Sequence, residues 1–243
     1  MSDVTVDIKA LLEAGAHFGH KTSRWHPKMA PYIHSKRGDI HIIDLTKTVE
    51  MLETAITEAA KVVARGGKIL FVGTKNQVKD KVKRLAEATN QFYVNERWVG
   101  GTLTNAKTIS LQIRKLHRLE KQIASGELEK RYNKLEVQRI QEEIDALNTR
   151  YGGIKSMMNK PAMVIVTDAI VERNAINEAK KTKTPVVAFC DTNADPTDID
   201  FVVPTNDDAI KALTLILGYF ETALIEANKQ AKKEQPIEKK EAK

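Results

Sequence analysis

Apolar residues along this chain follow two different rhythms, and the points where one gives way to the other outline its elements. Short apolar runs, read as strands, occur at 41–44 (HIID), 68–73 (KILFVG), 91–94, 163–166, 186–189 and 201–203. The run at 68–73 is continuous, as expected of a strand buried on both faces. Between them the spacing changes to three and four residues, which is the period of an amphipathic helix. Such stretches are 7–14 (Ile8, Leu11, Leu12), 46–65 (closed by Gly66-Gly67), 76–89 (Val78, Val82, Leu85, Ala86) and 174–181. Asn206 is placed to cap a last, long helix, with Asp207 and Asp208 in its first turn where the helix dipole favours negative charge. Strands alternating with helices predict an α/β domain with a parallel sheet and helices on both faces. Strand order is left open. The stretch 15–38, rich in Gly, His and Pro, reads as irregular.

The alternation is interrupted once. Ile109, Ile113, Leu116 and Ile123 fit one amphipathic helix over 108–125, and Val137, Ile140, Ile144, Leu147 and Tyr151 step by 3, 4, 3 and 4 over 135–151. Gly126 and the charged residues after it separate the two. This pattern predicts an antiparallel helical hairpin inserted into the α/β domain at closely spaced ends.

Composition narrows the class. Hydrophobic residues make up 42% of 243 and aromatics only 5%, so the core must be mainly aliphatic. A single cysteine, Cys190, allows no internal disulfide. No signal-like leader or membrane-length apolar run is legible, and a soluble, cytoplasmic protein is expected. Net charge is +7, but its distribution says more than its size. Residues 20–37 hold five Lys or Arg, three His and no acid, whereas 191–208 hold six Asp and no base. The tail after Asn228, with six Lys against three Glu, reads as disordered.

Enzyme motifs are missing. Neither G-x-G-x-x-G nor the phosphate loop G-x-x-x-x-G-K-[ST] occurs. Gly73-Thr74-Lys75 is the nearest approach, and a plain strand-to-helix turn explains it better. Cys190, with no accompanying signature, reads as a small buried hydrophobe. The aspartates of 191–200 lack the glycine and glutamate of a calcium loop, so solvated turns are the better reading. His17 and His20, with an aspartate such as Asp191, could hold a divalent metal. Histidines organising a loop are the commoner case, and no metal or cofactor is expected.

What is present suits a polyanion. The segment 15–37 (GAHFGHKTSRWHPKMAPYIHSKR) interleaves bases with Phe18, Trp25 and Tyr32. Cations neutralise phosphates and planar side chains stack on bases or ribose. Phe18 and Tyr32 could equally pack beneath the loop. A second cluster, 95–105 (NERWVGGTLTN), offers Arg97 as a charge, with Trp98 either a stacking surface or a buried anchor. The candidate RNA-binding residues are Lys21, Arg24, Trp25, Lys28, Lys36, Arg37, Arg97, Asn105, Lys107, Arg114 and Lys115. The acidic edge cannot readily face RNA, so Asp191, Asp195 and Asp198 are candidates for protein docking.

These blocks also carry a resemblance. AGAHFGHKTSRWHPKMAPYI, IHIIDLTKT, KILFVGTK, QFYVNERWVGGTLTN and DTNADPTDIDFVVPTNDDAI, in that order from about Asp7 to Leu224, are similar to the bacterial form of the small-subunit ribosomal protein S-two family. The resemblance implies a Rossmann-like (flavodoxin-like) parallel sheet carrying an inserted coiled-coil hairpin, lodged between head and body of the small subunit. The pattern divides the chain into a discontinuous α/β domain of residues 1–104 and 152–228, the inserted coiled-coil hairpin of 105–151 and a disordered charged tail of 229–243. The resemblance further implies no enzymatic activity, binding to small-subunit rRNA through hairpin and N-terminal loop, and contact with neighbouring small-subunit proteins. Docking of the large protein S-one would bring mRNA in indirectly. No membrane partner and no homo-oligomer are expected. Two other readings are a nucleotide- or sugar-phosphate-binding enzyme on the same sheet and a free-standing coiled-coil adaptor. The missing phosphate motifs oppose the first of these, and the basic N-terminal loop opposes the second.

Overall fold

The computed structural model describes residues 5–126, 128 and 132–241, the last ten as backbone only. Much of the charged segment after Gly126, and the tail's final two residues, lie outside that description.

The N-terminal part departs from the expected alternation. A short helix α1 (Ile8–Glu13), capped by the Asp7 side chain, leads into β1 (Phe18–Lys21), a 3-10 turn (Pro27–Tyr32), β2 (Ile33–Arg37) and β3 (Ile40–Ile43). These strands form a separate antiparallel sheet in the order β1-β3-β2. The 41–44 run is therefore a strand, but not one of the parallel sheet. Its neighbours read as irregular because FGHK and IHSKR are polar and half exposed, so neither shows a buried apolar run.

The main domain then unfolds as expected: α2 (Leu45–Ala64), β4 (Ile69–Val72), α3 (Lys79–Ala88), β5 (Phe92–Val94), α4 (Ala106–Ala124), α5 (Lys134–Tyr151), β6 (Met163–Val166), α6 (Arg173–Lys181), β7 (Val186–Cys190), β8 (Phe201–Pro204) and α7 (Ile210–Glu241). Asp44 caps α2 by accepting from the Thr46 amide at 3.0 Å, and Asn133 with Glu136 forms a reciprocal capping box on α5. The five strands are parallel in the order β5-β4-β6-β7-β8. Counted within this sheet, that is 2-1-3-4-5, the flavodoxin-like order.

Side-chain parity assigns the layers. Ile69, Phe71, Ile165, Val187, Phe189 and Val203 share one core cluster with α2, α3 and α7. Leu70, Val72, Val164, Val166, Ala188, Cys190 and Val202 share the other with α4, α5 and α6. Every residue of β4, β6 and β7 is buried, which is why their sequences show no alternation. The helical pair contributes Ile109, Ile113, Leu116 and Leu119 together with Ile144, Leu147 and Tyr151 to this second layer. Its base thus completes the core, while Leu111, Tyr132 and Leu135 remain exposed.

One expectation about α7 is corrected. The helix begins at Ile210, so Asp207 and Asp208 precede it, and Asn206 instead accepts the amides of Asp208 and Ala209 in a turn. The described backbone is helical as far as Glu241.

Gly153 follows α5 against the edge strand β5, where a Cβ would overlap the carbonyl oxygen and ring of Tyr93. Gly153→Ala should cost about 2 kcal/mol or more, the scale of overpacking a closed site. Urea unfolding of the two proteins, compared by midpoint at equal slope, measures this.

Candidate nucleic-acid interface and the cluster that anchors it

The basic N-terminal segment is strapped to the C-terminal ends of the parallel strands. The His26 amide donates to the Thr192 carbonyl at 2.7 Å and the His20 amide to Thr192 Oγ1 at 2.9 Å. The Asn206 amide donates to the Ala16 carbonyl at 3.0 Å, and the Asn206 side chain to that of Gly15 at 3.2 Å. Gly19 allows the approach, because a Cβ there would lie 2.6 Å from Thr192 Cγ2. Met29 is fully buried and plugs the loop from below.

On this support Lys21, Arg24, Lys36 and Arg37 are exposed and have no carboxylate partner among the described residues. Trp25 is 38% exposed, its ring set edge-on to His41 at 5.0 Å, and Phe18 is 46% exposed beside His17. Tyr32 is half-buried against the core. Lys28 differs from the other cations. Its ammonium lies 3.3 Å from Asp195 and 2.5 Å from Thr197 Oγ1, so much of its charge is already answered.

The second cluster divides in the same way. Arg97 and Asn105 are exposed, as are Lys107 and Arg114 on α4. Trp98 is buried, and its indole N–H donates to Glu178 at 3.0 Å, so it is an anchor and not a stacking surface. Lys115 pairs with Glu143 of α5 and braces the helical pair. Glu178 itself escaped the sequence reading, since a glutamate on an amphipathic helix is ordinarily solvated. Here it is buried and accepts from Trp98 Nε1, the amides of Gly101 (2.7 Å), Leu103 (3.0 Å) and Thr104 (3.2 Å), and Thr104 Oγ1 (3.1 Å). Burial works to raise its pKa, but the converging donors outweigh that and hold it below the usual glutamate value.

The crevice between β4 and β6, where strand order reverses, is the place this fold type offers to ligands. Side chains fill it. The Lys75 ammonium lies 2.6 Å from Asp168, 2.9 Å from Asp207 and 2.8 Å from Asp208. Glu172 accepts the Thr74 amide at 2.8 Å, so a carboxylate sits where a phosphate would meet that turn. Burial and the neighbouring Asp168 and Asp191 push Asp207 up to about 7, against the pull of Lys75. Cys190 is fully buried and its thiol is pushed well above the usual range, in keeping with a core role.

The acidic edge is consequently not a free surface. Asp191 is 1% exposed and lies 3.0 Å from His20 Nδ1, so it cannot dock a protein. The contact is close but poorly aligned for N–H donation; it still raises the histidine pKa together with Asp207 and Asp208. Asp195 answers Lys28, Asp198 pairs with Lys180, and Asp200 accepts the Val186 amide at 2.8 Å. The candidate grouping of His17 with His20 and Asp191, where no metal was expected, is also corrected. The chain is extended through β1, so residues three apart do not share a face as they would on a helix. His17 packs on Phe18, and Asp207 takes its place: ligand atoms of His20, Asp191 and Asp207 lie within 4.8 Å of one another.

The geometry is that of an α/β scaffold whose crevice is filled by its own ion pairs, with exposed cations on an anchored loop and a helical pair. Comparison with known proteins gives the family. A family model described as ribosomal protein S2 matches residues 11–227. The "Small ribosomal subunit protein uS2" of Dehalococcoides mccartyi strain BAV1 is 48% identical over 228 residues, covering 94% of this chain and 93% of its own. The same protein of strain CBDB1 matches equally, and that of strain 195 is 47% identical. The chain belongs to the ribosomal protein S2 family and is a structural, non-enzymatic protein of the small ribosomal subunit.

Two outcomes follow for the anchoring groups. Lys75→Met leaves Asp168 and Asp207 buried without their counter-ion and should cost about 3 kcal/mol or more in urea unfolding. Glu178→Gln should be destabilising at pH 7 by about 2 kcal/mol, the scale of a buried charged acceptor. Because folding lowers the Glu178 pKa, its contribution is present above the unfolded value of about 4.3 and is lost as pH falls through the folded value. The gap between parent and variant should therefore narrow at pH 3.5, and a constant gap across pH would show that the charge is not what matters.

Proposed function

We propose that the protein binds small-subunit rRNA through two exposed basic surfaces, the N-terminal module (Lys21, Arg24, Trp25, Lys36, Arg37) and the root of the arm (Arg97, Asn105, Lys107, Arg114). The observation that carries this is that these cations stand exposed without a carboxylate partner among the described residues, while the acids of the neighbouring loops are bound internally. Free cations on a fixed frame gain more from a phosphate backbone than cations already paired. Lys28 and Lys115, being paired, contribute less. Contacts of this kind meet phosphate and ribose and read the shape of RNA before its sequence.

The proposal includes a place among neighbouring small-subunit proteins and the docking of protein S-one, through which mRNA is approached indirectly. Family membership supports this part. Asp195 and Asp198 remain partly exposed and are candidates for its rim, whereas Asp191 is not.

Arg24→Ala/Lys36→Ala/Arg37→Ala should weaken association with small-subunit particles stripped of this protein. It should also reduce the slope of log K against log salt by about 2 to 3. Lys28→Ala should change the slope by well under half of one contact. A triple variant whose slope matches the parent would remove the N-terminal module from the interface.

A further inference from the structure

The segment between β5 and α4 has a hydrogen-bonding problem that one side chain resolves. Residues 95–105 form neither strand nor helix, so their amides must find acceptors outside regular structure. A single carboxylate, that of Glu178 on α6, takes the amides of Gly101, Leu103 and Thr104 and adds the Trp98 indole and the Thr104 hydroxyl. Gly101 lies at φ +90°, a conformation that turns the chain around the carboxylate.

The helix that starts immediately afterwards has no strong start of its own. Asn105, at the N-cap of α4, makes no capping bond to the helix amides, and its side chain instead accepts from the Thr108 hydroxyl. The loop gathered by Glu178 thus fixes where α4 begins, while Ile109, Ile113 and Leu116 seat its buried face on the core. The arm's other root is held differently: Gly153 sits against Tyr93, and Lys155 reaches Glu120 of α4 at 2.6 Å.

We infer that Glu178 is a positioning residue for RNA binding: by holding Trp98, Gly101, Leu103 and Thr104 it fixes the angle at which α4 presents Lys107 and Arg114. It touches no RNA itself, lying buried beneath the loop. This rests on the proposal that the arm meets rRNA. Arg114 stands eight residues along α4 from Ala106, at 1.5 Å per residue about 12 Å from the root. A tilt of about 10° at the root would move it by about 2 Å, enough to lengthen a hydrogen bond to a phosphate oxygen beyond its range.

The test is a double-mutant cycle with the full chain, reading its binding to small-subunit particles stripped of this protein. Glu178→Gln should weaken binding by about tenfold when the arm is intact, and by less than about twofold in a Lys107→Ala/Arg114→Ala background, because both changes then act through the same contacts. Equal losses in both backgrounds would mean that Glu178 acts through general stability, and no loss in either would mean it positions nothing; each overturns the inference. If Lys107→Ala/Arg114→Ala binds as tightly as the parent, the arm's role in RNA binding fails, and that result is separable from the first two. A readout free of RNA completes the test. Spin labels at Lys121→Cys and Lys181→Cys, with Cys190 buried and unlabelled, should show a narrow distance distribution that broadens on Glu178→Gln. An unchanged width overturns the inference. Should Glu178→Gln fail to fold, Thr104→Val removes one donor from the same carboxylate and should produce the same two effects at smaller size.

Discussion

Much of this molecule hangs on an electrostatic constraint at the C-terminal ends of its parallel strands. Asp168, Asp191 and Asp207 are each nearly inaccessible to water there, and burying carboxylates together is costly unless a cation joins them. Lys75 supplies that cation from the β4–α3 turn, reaching Asp168 after β6 and Asp207 and Asp208 before α7. One ammonium therefore ties together three strand ends that are distant in sequence. It also closes the crevice that a flavodoxin-like sheet would leave for a nucleotide. His20, in contact with Asp191 and 3.7 Å from Asp208, brings the N-terminal module into the same network. The N-terminal module is thus anchored at His20 by acids that were expected to form a surface of their own.

Charge is sorted by the same logic on a larger scale. The helix α4 carries Lys107, Arg114, Lys115, Arg118 and Lys121 against Glu120 alone, whereas α5 carries three bases against four acids. Lys115 leans across to Glu143, and Lys107 and Arg114 stay exposed. The pair is joined by an apolar seam that merges with one face of the sheet, so the arm's root is part of the core. An extended arm built on a core layer can present cations at a fixed position, which a flexible basic tail could not do without losing entropy on binding.

Glu178 shows why part of the candidate site's support escaped detection. Its neighbours on α6 spell an ordinary amphipathic helix, and no pattern distinguishes a glutamate that faces a loop from one that faces water. Its partners lie 74 to 80 residues away. The dual character of Trp98 could not be resolved for the same reason: whether an indole stacks on a base or donates to a buried carboxylate depends on what the fold brings beneath it.

The chain's own pattern determined the strands of the parallel sheet, the helices, the parallel class of that sheet and the interruption at the helical pair, because burial on one or two faces writes a period directly into the sequence. It determined the concentration of bases in 20–37 and marked the blocks that identify the family. Tertiary structure alone decided the strand order, the separate antiparallel sheet, the fate of each aspartate between 191 and 208, and the split between paired cations such as Lys28 and exposed ones such as Arg24, which has no carboxylate partner among the described residues. Periodicity reports how a residue relates to its near neighbours, whereas ion pairing and hydrogen bonding between loops depend on distances that exist only once the sheet has brought those loops together.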